Sequence, residues 1–487
     1  MTQARETAVN DLVMLDAIAL ATEIRTRTVS CVEVMTAYLD HIEAINPAVN
    51  AIVALQDREG LLAQARDRDG QLAAGETVGV LHGLPHAVKD LQPVAGLPFT
   101  MGSPIFRGAA ATADSIMVER LRAAGVIFIG KTNTPEFGFG SHTFNPVYGV
   151  TRNPYDLSRS AGGSSGGAAV ALATRMLPLA DGGDYGGSLR NPAGWNNVFG
   201  FRPSAGRVPN HGLDDWLPTM STLGPMARNV ADLALLLSVQ AGHDPRAPMS
   251  LEGDGAQFRG ALTGDVRGKR IGWLGDYGGV TPCEPGVLDV CRTALRTFEA
   301  LGCVLEEVAL DHPLEEVWQA FLRLRGWQTG REIAGHYDDP ARRVMLKPEA
   351  VLEIETGRRL SAFEVTAASI VRTEWSQAVR RLFDRYDYLV APTAQVFPFP
   401  VEQMWPRDIA GQPMRTYHEW MKGVCLVTMA GCPSLAVPAG LNTEGLPMGL
   451  QIIAPVHADM ACLTLAAAYE AADPMAAHRR PPILTRT

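Results

Sequence analysis

The stretch 115–149 alternates between three local patterns. Residues 115–124 carry apolar side chains at helical spacing, residues 126–129 are a short run of β-branched and aromatic residues, and the segment up to residue 149 is rich in turn formers. Short apolar strands that alternate with helices are typical of a β-sheet with helices on its faces. We therefore expect an α/β fold.

Other segments add to this pattern. Apolar residues at helical spacing over 11–50 predict two amphipathic helices, and Ser30 with Glu33 fits a capping box at the start of the second. Residues 244–265 are polar and rich in glycine, proline and aspartate, which predicts a surface excursion. Further helices are predicted over 168–175, 285–301 and 364–385, and further strands over 270–274, 388–391, 434–438 and 449–453.

The charge and the cysteines exclude several classes of function. The 487 residues carry a formal net charge of −9 at pH 7 and no basic run, which argues against a nucleic-acid surface or an anionic-membrane surface. The seven cysteines are scattered without a C-x-x-C pair, so we expect neither a disulfide scaffold nor a metal site. No apolar run is long enough to span a bilayer, and residues 1–11 lack a signal-peptide pattern. We expect a cytoplasmic globular protein.

The segment 125–132 matches the phosphate-loop pattern G-x-x-x-x-G-K-[ST] of nucleotide-binding proteins. That pattern needs a loop at its four central positions, but here these are valine, isoleucine, phenylalanine and isoleucine, which prefer a strand. Pro135 also disturbs any helix that would start at Lys131. We therefore reject nucleotide binding.

A second pattern, G-x-S-x-G at residues 162–166, fits the nucleophile elbow of hydrolases and would make Ser164 the nucleophile with a histidine base. An elbow serine follows a strand, whereas residues 153–160 are turn formers, so this alternative is disfavoured. A flexible glycine–serine linker is the other alternative. Because the block leads directly into an apolar helix, its glycines more readily predict close backbone approach at the start of that helix.

Three short segments become informative in combination. Lys89 lies in Gly-Leu-Pro-His-Ala-Val-Lys-Asp, Ser164 lies in the glycine–serine block, and Ser188 lies in Asp-Tyr-Gly-Gly-Ser-Leu-Arg-Asn-Pro. In this order and with these flanking residues, the chain resembles the amidase signature family. Similar segments span residues 124–137, 200–207, 224–228 and 431–455, so the resemblance covers most of the chain.

The resemblance implies hydrolysis of amides by a Ser–cisSer–Lys triad, without a cofactor or a metal ion. Ser188 would attack the substrate and form an acyl-enzyme, Ser164 would follow a cis peptide bond and relay the proton, and Lys89 would act as the base. Lys89 must be neutral for this role, which requires burial to lower its pKa. A non-catalytic protein of this fold is disfavoured because all three positions are filled.

The loop before the nucleophile would hold the oxyanion through backbone N–H groups. The residues expected to supply them are Tyr185, Gly186 and Gly187. Asp184 and Arg190 flank this loop, and we interpret them as structural charges that brace it. The family usually has a small residue where this chain has Tyr185, which places a large ring beside the reacting centre. It also usually has proline where this chain has Ala161, a difference that a turn tolerates.

The resemblance also implies a large mixed β-sheet core covered by α-helices, and it divides the chain into four parts. Residues 1–70 would form an N-terminal helical segment that packs on the core, and residues 71–240 the core with the triad. Residues 241–400 would form a helix-rich insertion and cap region, and residues 401–487 would complete the α/β core.

Family members act on substrates that range from aryl and aliphatic amides to carbamates and glutamine. Aromatic residues near the motifs favour an aryl or apolar acyl amide, and the same triad would accept a carbamate (urethane). The candidate substrate-binding residues are Phe139, Gly140, Arg207 and Cys432. We expect a monomer or homodimer that binds a small molecule, but no nucleic acid and no membrane. The alternative is the glutaminase (A) subunit of a tRNA-dependent amidotransferase, against which the acidic charge and the segment 325–361 argue.

Overall fold

This computed structural model describes residues 12–217 and 220–485, which form a mixed α/β structure. Its strands are, in chain order, β1 (Ile52–Val53), β2 (Pro85–Lys89), β3 (Ile127–Thr132), β4 (Phe144–Asn145), β5 (Gly149–Val150), β6 (Ala180–Asp184), β7 (Phe199–Arg202), β8 (Thr222–Ala227), β9 (Arg270–Trp273), β10 (Val304–Glu307), β11 (Tyr388–Pro392), β12 (Asp408–Ile409), β13 (Gln412–Pro413), β14 (Ser434–Leu441) and β15 (Pro447–Ile453).

Helices occur between these strands and at both ends of the described chain. They are α1 (Ala17–Arg25), α2 (Cys31–Val49), α3 (Arg58–Ala73), α4 (Ile116–Ala123), α5 (Gly166–Ala173), α6 (Arg190–Trp195), α7 (Val230–Gln240), α8 (Val287–Ala300), α9 (Leu314–Asp338), α10 (Pro340–Arg343), α11 (Pro348–Arg359), α12 (Ala362–Leu382), α13 (Lys422–Ala430), α14 (Asp459–Ala472) and α15 (Pro474–Ala477).

Two sheets organise the core. Eight strands form a large sheet in the order β10–β9–β11–β15–β14–β7–β8–β6, and three form a small sheet in the order β1–β3–β2. In the large sheet β9 runs parallel to β10 and β11, whereas the remaining neighbours are antiparallel. Helices cover the sheet; α6 and α8, for example, both pack on β14 and β15. The predicted fold class, a large mixed β-sheet core covered by α-helices, is confirmed.

The two predicted N-terminal helices form as α1 and α2, and they are capped in different ways. The Oγ of Ser30 accepts the N–H of Glu33 at 3.1 Å, and the Glu33 carboxylate accepts the N–H of Ser30 at 2.9 Å, which confirms the capping box. The first helix is capped by the Asp232 carboxylate of α7, which accepts the N–H groups of Ala17 and Ile18 at 2.7 and 3.0 Å.

The two misleading sequence patterns have clear structural outcomes. Lys131 and Thr132 lie inside the buried strand β3, so the predicted strand forms at this place and not a phosphate-binding loop. The glycine–serine block leads directly into α5, as expected. A Cβ on Gly167 would lie 2.3 Å from the backbone nitrogen of Asn133, so this glycine permits a close backbone approach.

The four parts of the chain contribute to the core as follows. Residues 12–70 supply α1, α2, β1 and most of α3, while residues 1–11, where a signal peptide was considered, lie outside the described residues. Residues 71–240 supply β2 and β3 to the small sheet and β6, β7 and β8 to the large sheet. Residues 241–400 supply β9, β10 and β11 to the large sheet in addition to the long helices α9, α11 and α12. Residues 401–485 supply β14 and β15 in the middle of that sheet. Across the described ranges, no helix combines the length and apolarity needed to cross a lipid bilayer.

Candidate active site

A cavity of about 560 Å³ lies beside the carboxyl ends of β2 and β6. Lys89, Ser164 and Ser188 all line it, although they come from distant parts of the chain. Other lining residues come from the loop after β3, from the segment 182–186 and from helix α9. The structure therefore brings the three predicted triad residues together at one cavity.

Lys89, the last residue of β2, is buried beside the glycine–serine block. Its Nζ donates to the Oγ of Ser164 at 2.7 Å and to the Oγ of Ser165 at 2.8 Å. Burial lowers the pKa of Lys89 from 10.5 to about 7, against the opposing charges of Asp181 and Asp184. A large share of Lys89 is thus neutral near pH 7 and able to accept a proton, as the implied mechanism requires.

Two adjacent serines, and not one, contact the Lys89 amine. The peptide bond between Gly163 and Ser164 is cis, in agreement with the resemblance. Ser165 was not predicted: its hydroxyl is the second acceptor for Lys89, and its N–H donates to the carbonyl oxygen of Ser188 at 3.2 Å. Its position next to Ser164 in the glycine–serine block is the sequence signal that would have found it.

Ser188 follows a loop whose conformation depends on Asp184. The N–H of Gly187 donates to the Oδ1 of Asp184 at 2.8 Å, so this N–H is not free to bind an oxyanion. Tyr185 and Gly186 line the cavity, whereas Gly187 does not. The expectation that Gly187 contributes to the oxyanion hole is therefore corrected, because its N–H already donates to the buried carboxylate of Asp184. Tyr185 and Gly186 remain the predicted donors.

The carboxylate of Asp184 ties this loop to the core. Arg190 binds it with two parallel hydrogen bonds, from Nε to Oδ2 and from Nη2 to Oδ1, both 3.0 Å long. Arg190 also donates to the Oε1 of Gln451 at 2.8 Å and to the Oγ1 of Thr428 at 2.9 Å. Burial opposes ionisation of Asp184, yet Arg190 and Arg202 hold the pKa of this carboxyl well below its usual range. This geometry fits the bracing role expected of Asp184 and Arg190.

One face of helix α9 lines the cavity and contacts the ring of Tyr185. The Tyr185 hydroxyl donates to the Oε1 of Gln328 at 2.7 Å, and its ring centre lies 6.0 Å from that of Phe321. The guanidinium of Arg325 lies 4.9 Å from the Tyr185 ring centre and donates from Nε to the Glu353 carboxylate at 2.7 Å. Phe321, Arg325 and Gln328 were not predicted, because no motif marks them and their only sequence signal is their helical spacing.

The structure brings two of the four candidate substrate-binding residues to the cavity. Phe139 and Gly140 line it. Arg207 instead donates from Nε and Nη2 to the carboxylate of Asp459, both at 3.1 Å, because this buried carboxylate needs a cationic partner. Cys432 is packed in the main apolar core. These positions correct the expectations for Arg207 and Cys432.

Known proteins resemble this chain in sequence and in structure. The Amidase family model matches residues 33–463. An acylamidase of Rhodococcus erythropolis is 36% identical over 414 residues, which cover 83% of this chain and 84% of the relative. The glutamyl-tRNA(Gln) amidotransferase (A) subunit of Acidothermus cellulolyticus is 37% identical over 493 residues, which cover 95% of each chain. The crystal structure of a bacterial aryl acylamidase of the amidase signature family has a TM-score of 0.89 and 32% identity, covering 96% of this chain and 99% of that chain.

Proposed function

The chain belongs to the amidase signature family, hydrolases that act on amide C–N bonds, and we propose that it works through Ser188, Ser164 and Lys89 by way of an acyl-enzyme. The observation that carries this proposal is the buried Lys89, hydrogen-bonded to Ser164 at the cavity that Ser188 also lines. A nucleophile needs a nearby base that can take its proton, and a neutral amine that contacts a serine hydroxyl meets this need.

In the proposed reaction the Oγ of Ser188 attacks the carbonyl carbon of the substrate. Its proton passes to Ser164 while the proton of Ser164 passes to the Nζ of Lys89, and the N–H groups of Tyr185 and Gly186 bind the oxyanion. The C–N bond then breaks, and the proton returns through Ser164 to the departing amine. A water molecule hydrolyses the acyl ester by the same proton route and restores Ser188.

We propose an amide with an aryl or apolar acyl group as the preferred substrate. Aromatic and apolar side chains supply much of the cavity wall, among them Leu91, Phe99, Met101, Phe137, Phe139, Phe321 and Met421. Such a wall stabilises an apolar group by removing it from water. The similarity to an acylamidase and to an aryl acylamidase supports the same choice. A carbamate presents a carbonyl and a C–N bond to the same three residues, so we include carbamates in the proposed range.

The second candidate is the glutaminase subunit of a tRNA-dependent amidotransferase. The identity of 37% with such a subunit, over 95% of both chains, favours it. Glutamine is a small polar amide, however, and the aromatic and apolar part of the cavity wall favours an apolar group over it. That role also needs partner subunits and tRNA, whereas we propose a monomer or homodimer that acts alone. We therefore rank it second.

A hydrolysis panel separates these candidates. The substrates are a nitroanilide, an aliphatic amide, a carbamate and glutamine, and Ser188→Ala is the blank. Ser369→Ala, on the exposed surface of α12, is the matched control and should keep full activity. We expect fastest turnover of the nitroanilide and an acyl adduct on Ser188 by mass spectrometry. An adduct on Ser164 would instead support the nucleophile elbow, and turnover of glutamine alone would support the amidotransferase subunit.

A further inference from the structure

Strand β2 of the small sheet and strand β6 of the large sheet are edge strands that meet at the cavity. Asp181 of β6 reaches from one sheet to the other. Its Oδ2 accepts the backbone N–H of Lys89 at 3.3 Å, and its Oδ1 lies 3.0 Å from the Nε2 of His86. The side chains of Asp181 and His86 are 0% and 1% exposed. A buried carboxylate thus bridges the two sheets at the residue that carries the proposed base.

The other two aspartates near Lys89 have cationic partners. Asp184 forms its ion pair with Arg190 at 3.0 Å. Asp90, the next residue after Lys89, lies 3.9 Å from the Nζ of Lys131. The charges of these two carboxylates are therefore at least partly neutralised by their own partners.

Asp181 differs from both. In the part of the chain that the structure describes, no side-chain nitrogen of a lysine or arginine lies within 4 Å of its carboxylate, and His86 is the ionisable side chain in contact with it. Burial lowers the pKa of Lys89 to about 7 and that of Lys131 to about 8, and Asp181 opposes both shifts. For Lys89 it is the larger of the two opposing carboxylates.

We infer that Asp181, oriented by His86, is a positioning residue for Lys89. It holds the backbone of Lys89 across the gap between the two sheets, and its charge stabilises the ammonium that forms when Lys89 takes the serine proton. An ionised carboxylate only accepts hydrogen bonds, so His86 donates from Nε2 and keeps the carboxylate in this orientation. The inference rests on the proposed function, in which Lys89 is the base.

Replacing Asp181 with asparagine keeps the size of the side chain but removes its charge. The ammonium form of Lys89 is then less favoured, so its pKa falls and the acid limb of the rate profile moves to lower pH by about one unit. The maximal rate falls about tenfold, because the ammonium formed during the reaction has lost its stabilising charge. A residue with a purely structural role would lower the rate without moving the limb.

Covalent labelling by a phosphonofluoridate measures this effect without any amide substrate. The bond between the Oγ of Ser188 and phosphorus forms, the P–F bond breaks, fluoride leaves, and the serine proton passes through Ser164 to Lys89 and then to solvent. The labelling rate is followed by intact mass between about pH 5 and pH 10 for the wild type and each variant.

Variants of two other residues, Asp90 and His86, distinguish the effect of the Asp181 charge from a general loss of activity. Asp90→Asn also removes a buried carboxylate, but one that does not shift the pKa of Lys89, so the acid limb should stay in place. His86→Leu removes the donor that orients Asp181 and should slow labelling several-fold. His86→Gln keeps a side-chain N–H donor and should restore most of the rate.

The outcomes are distinguishable. Absence of label on Ser188 in the wild type would overturn the proposed function itself. A labelled wild type whose acid limb coincides with that of Asp181→Asn would overturn the inference alone. If Asp181→Asn does not fold, as judged by circular dichroism, the labelling rates of His86→Leu and His86→Gln test the inference instead. Equal labelling rates for these two variants would overturn it.

Discussion

Replacing Lys89 with methionine tests the burial of the proposed base, because methionine has a similar length and no charge. Burial lowers the pKa of Lys89 from 10.5 to about 7, so the unfolded chain binds this proton more tightly than the folded protein. At pH 7 this difference costs the folded state about 4 kcal/mol. The cost disappears as the pH rises towards 10.5, because the unfolded chain then loses the proton as well.

The hydrogen bonds of Lys89 offset part of this cost. Its Nζ donates to the hydroxyls of Ser164 and Ser165, and at about 1.5 kcal/mol each these bonds contribute about 3 kcal/mol. Lys89→Met should therefore be more stable than the wild type by about 1 kcal/mol at pH 7 and less stable by about 1 kcal/mol at pH 9. Hydrolysis should fall about 10³-fold, because no base remains.

Urea unfolding at pH 7 and pH 9, followed by circular dichroism, measures the stability difference, and the nitroanilide assay measures activity. Lys131→Met is the matched control, since it removes a buried lysine from the neighbouring strand but leaves the carboxylate of Asp90 without its cationic partner. It should destabilise the protein at both pH values. The reasoning is refuted if the stability difference between Lys89→Met and the wild type keeps one sign at both pH values. It is also refuted if this variant retains more than about a tenth of the wild-type rate.

Three further predictions concern the same site. The wild-type kcat/KM should fall about tenfold between pH 8 and pH 6 because only neutral Lys89 accepts a proton, and a limb centred below about pH 5 would point to another base. Gly187→Ala should cost at least about 2 kcal/mol in urea unfolding, because Gly187 has a φ of 100° and the new Cβ would lie 2.6 Å from a methyl carbon of Val424. Adding Val424→Ala to the Gly187→Ala variant should recover only the part of the lost stability that the steric contact causes. Full recovery would contradict the cost assigned to the backbone conformation of residue 187. Tyr185→Ala should lower the KM of anilides with bulky acyl groups more than that of small ones, whereas an equal change for both would show that this ring does not limit the cavity.

Local structure was predictable wherever neighbouring residues settle it. The capping box of Ser30 and Glu33 involves four consecutive residues, and residues 127–129 of the predicted run 126–129 lie in β3. The helix predicted over 364–385 spans Ala362–Leu382 and begins after its own cap, Ser361. In these cases backbone propensity and short hydrogen bonds decide the conformation, and the fold around them does not override it.

Two errors in the predicted site share one physical cause. The N–H of Gly187 was expected to bind an oxyanion, and the guanidinium of Arg207 was expected near the cavity. The carboxylates of Asp184 and Asp459 instead accept these donors. A buried carboxylate must be satisfied by nearby donors, and packing determines which donors are near. Spacing along the chain carries no information on that choice.

The sequence by itself was enough to propose the reactive residues. The order and flanking residues of Lys89, Ser164 and Ser188 resemble those of the amidase signature family, which implies these three as the triad, and the structure brings them to one cavity. Only the tertiary structure decided that the amine is buried, which lowers its pKa, and that Asp181 reaches it from the edge of another sheet. The physical reason is that a pKa depends on desolvation and on charges a few ångströms away, and those neighbours come from distant parts of the chain.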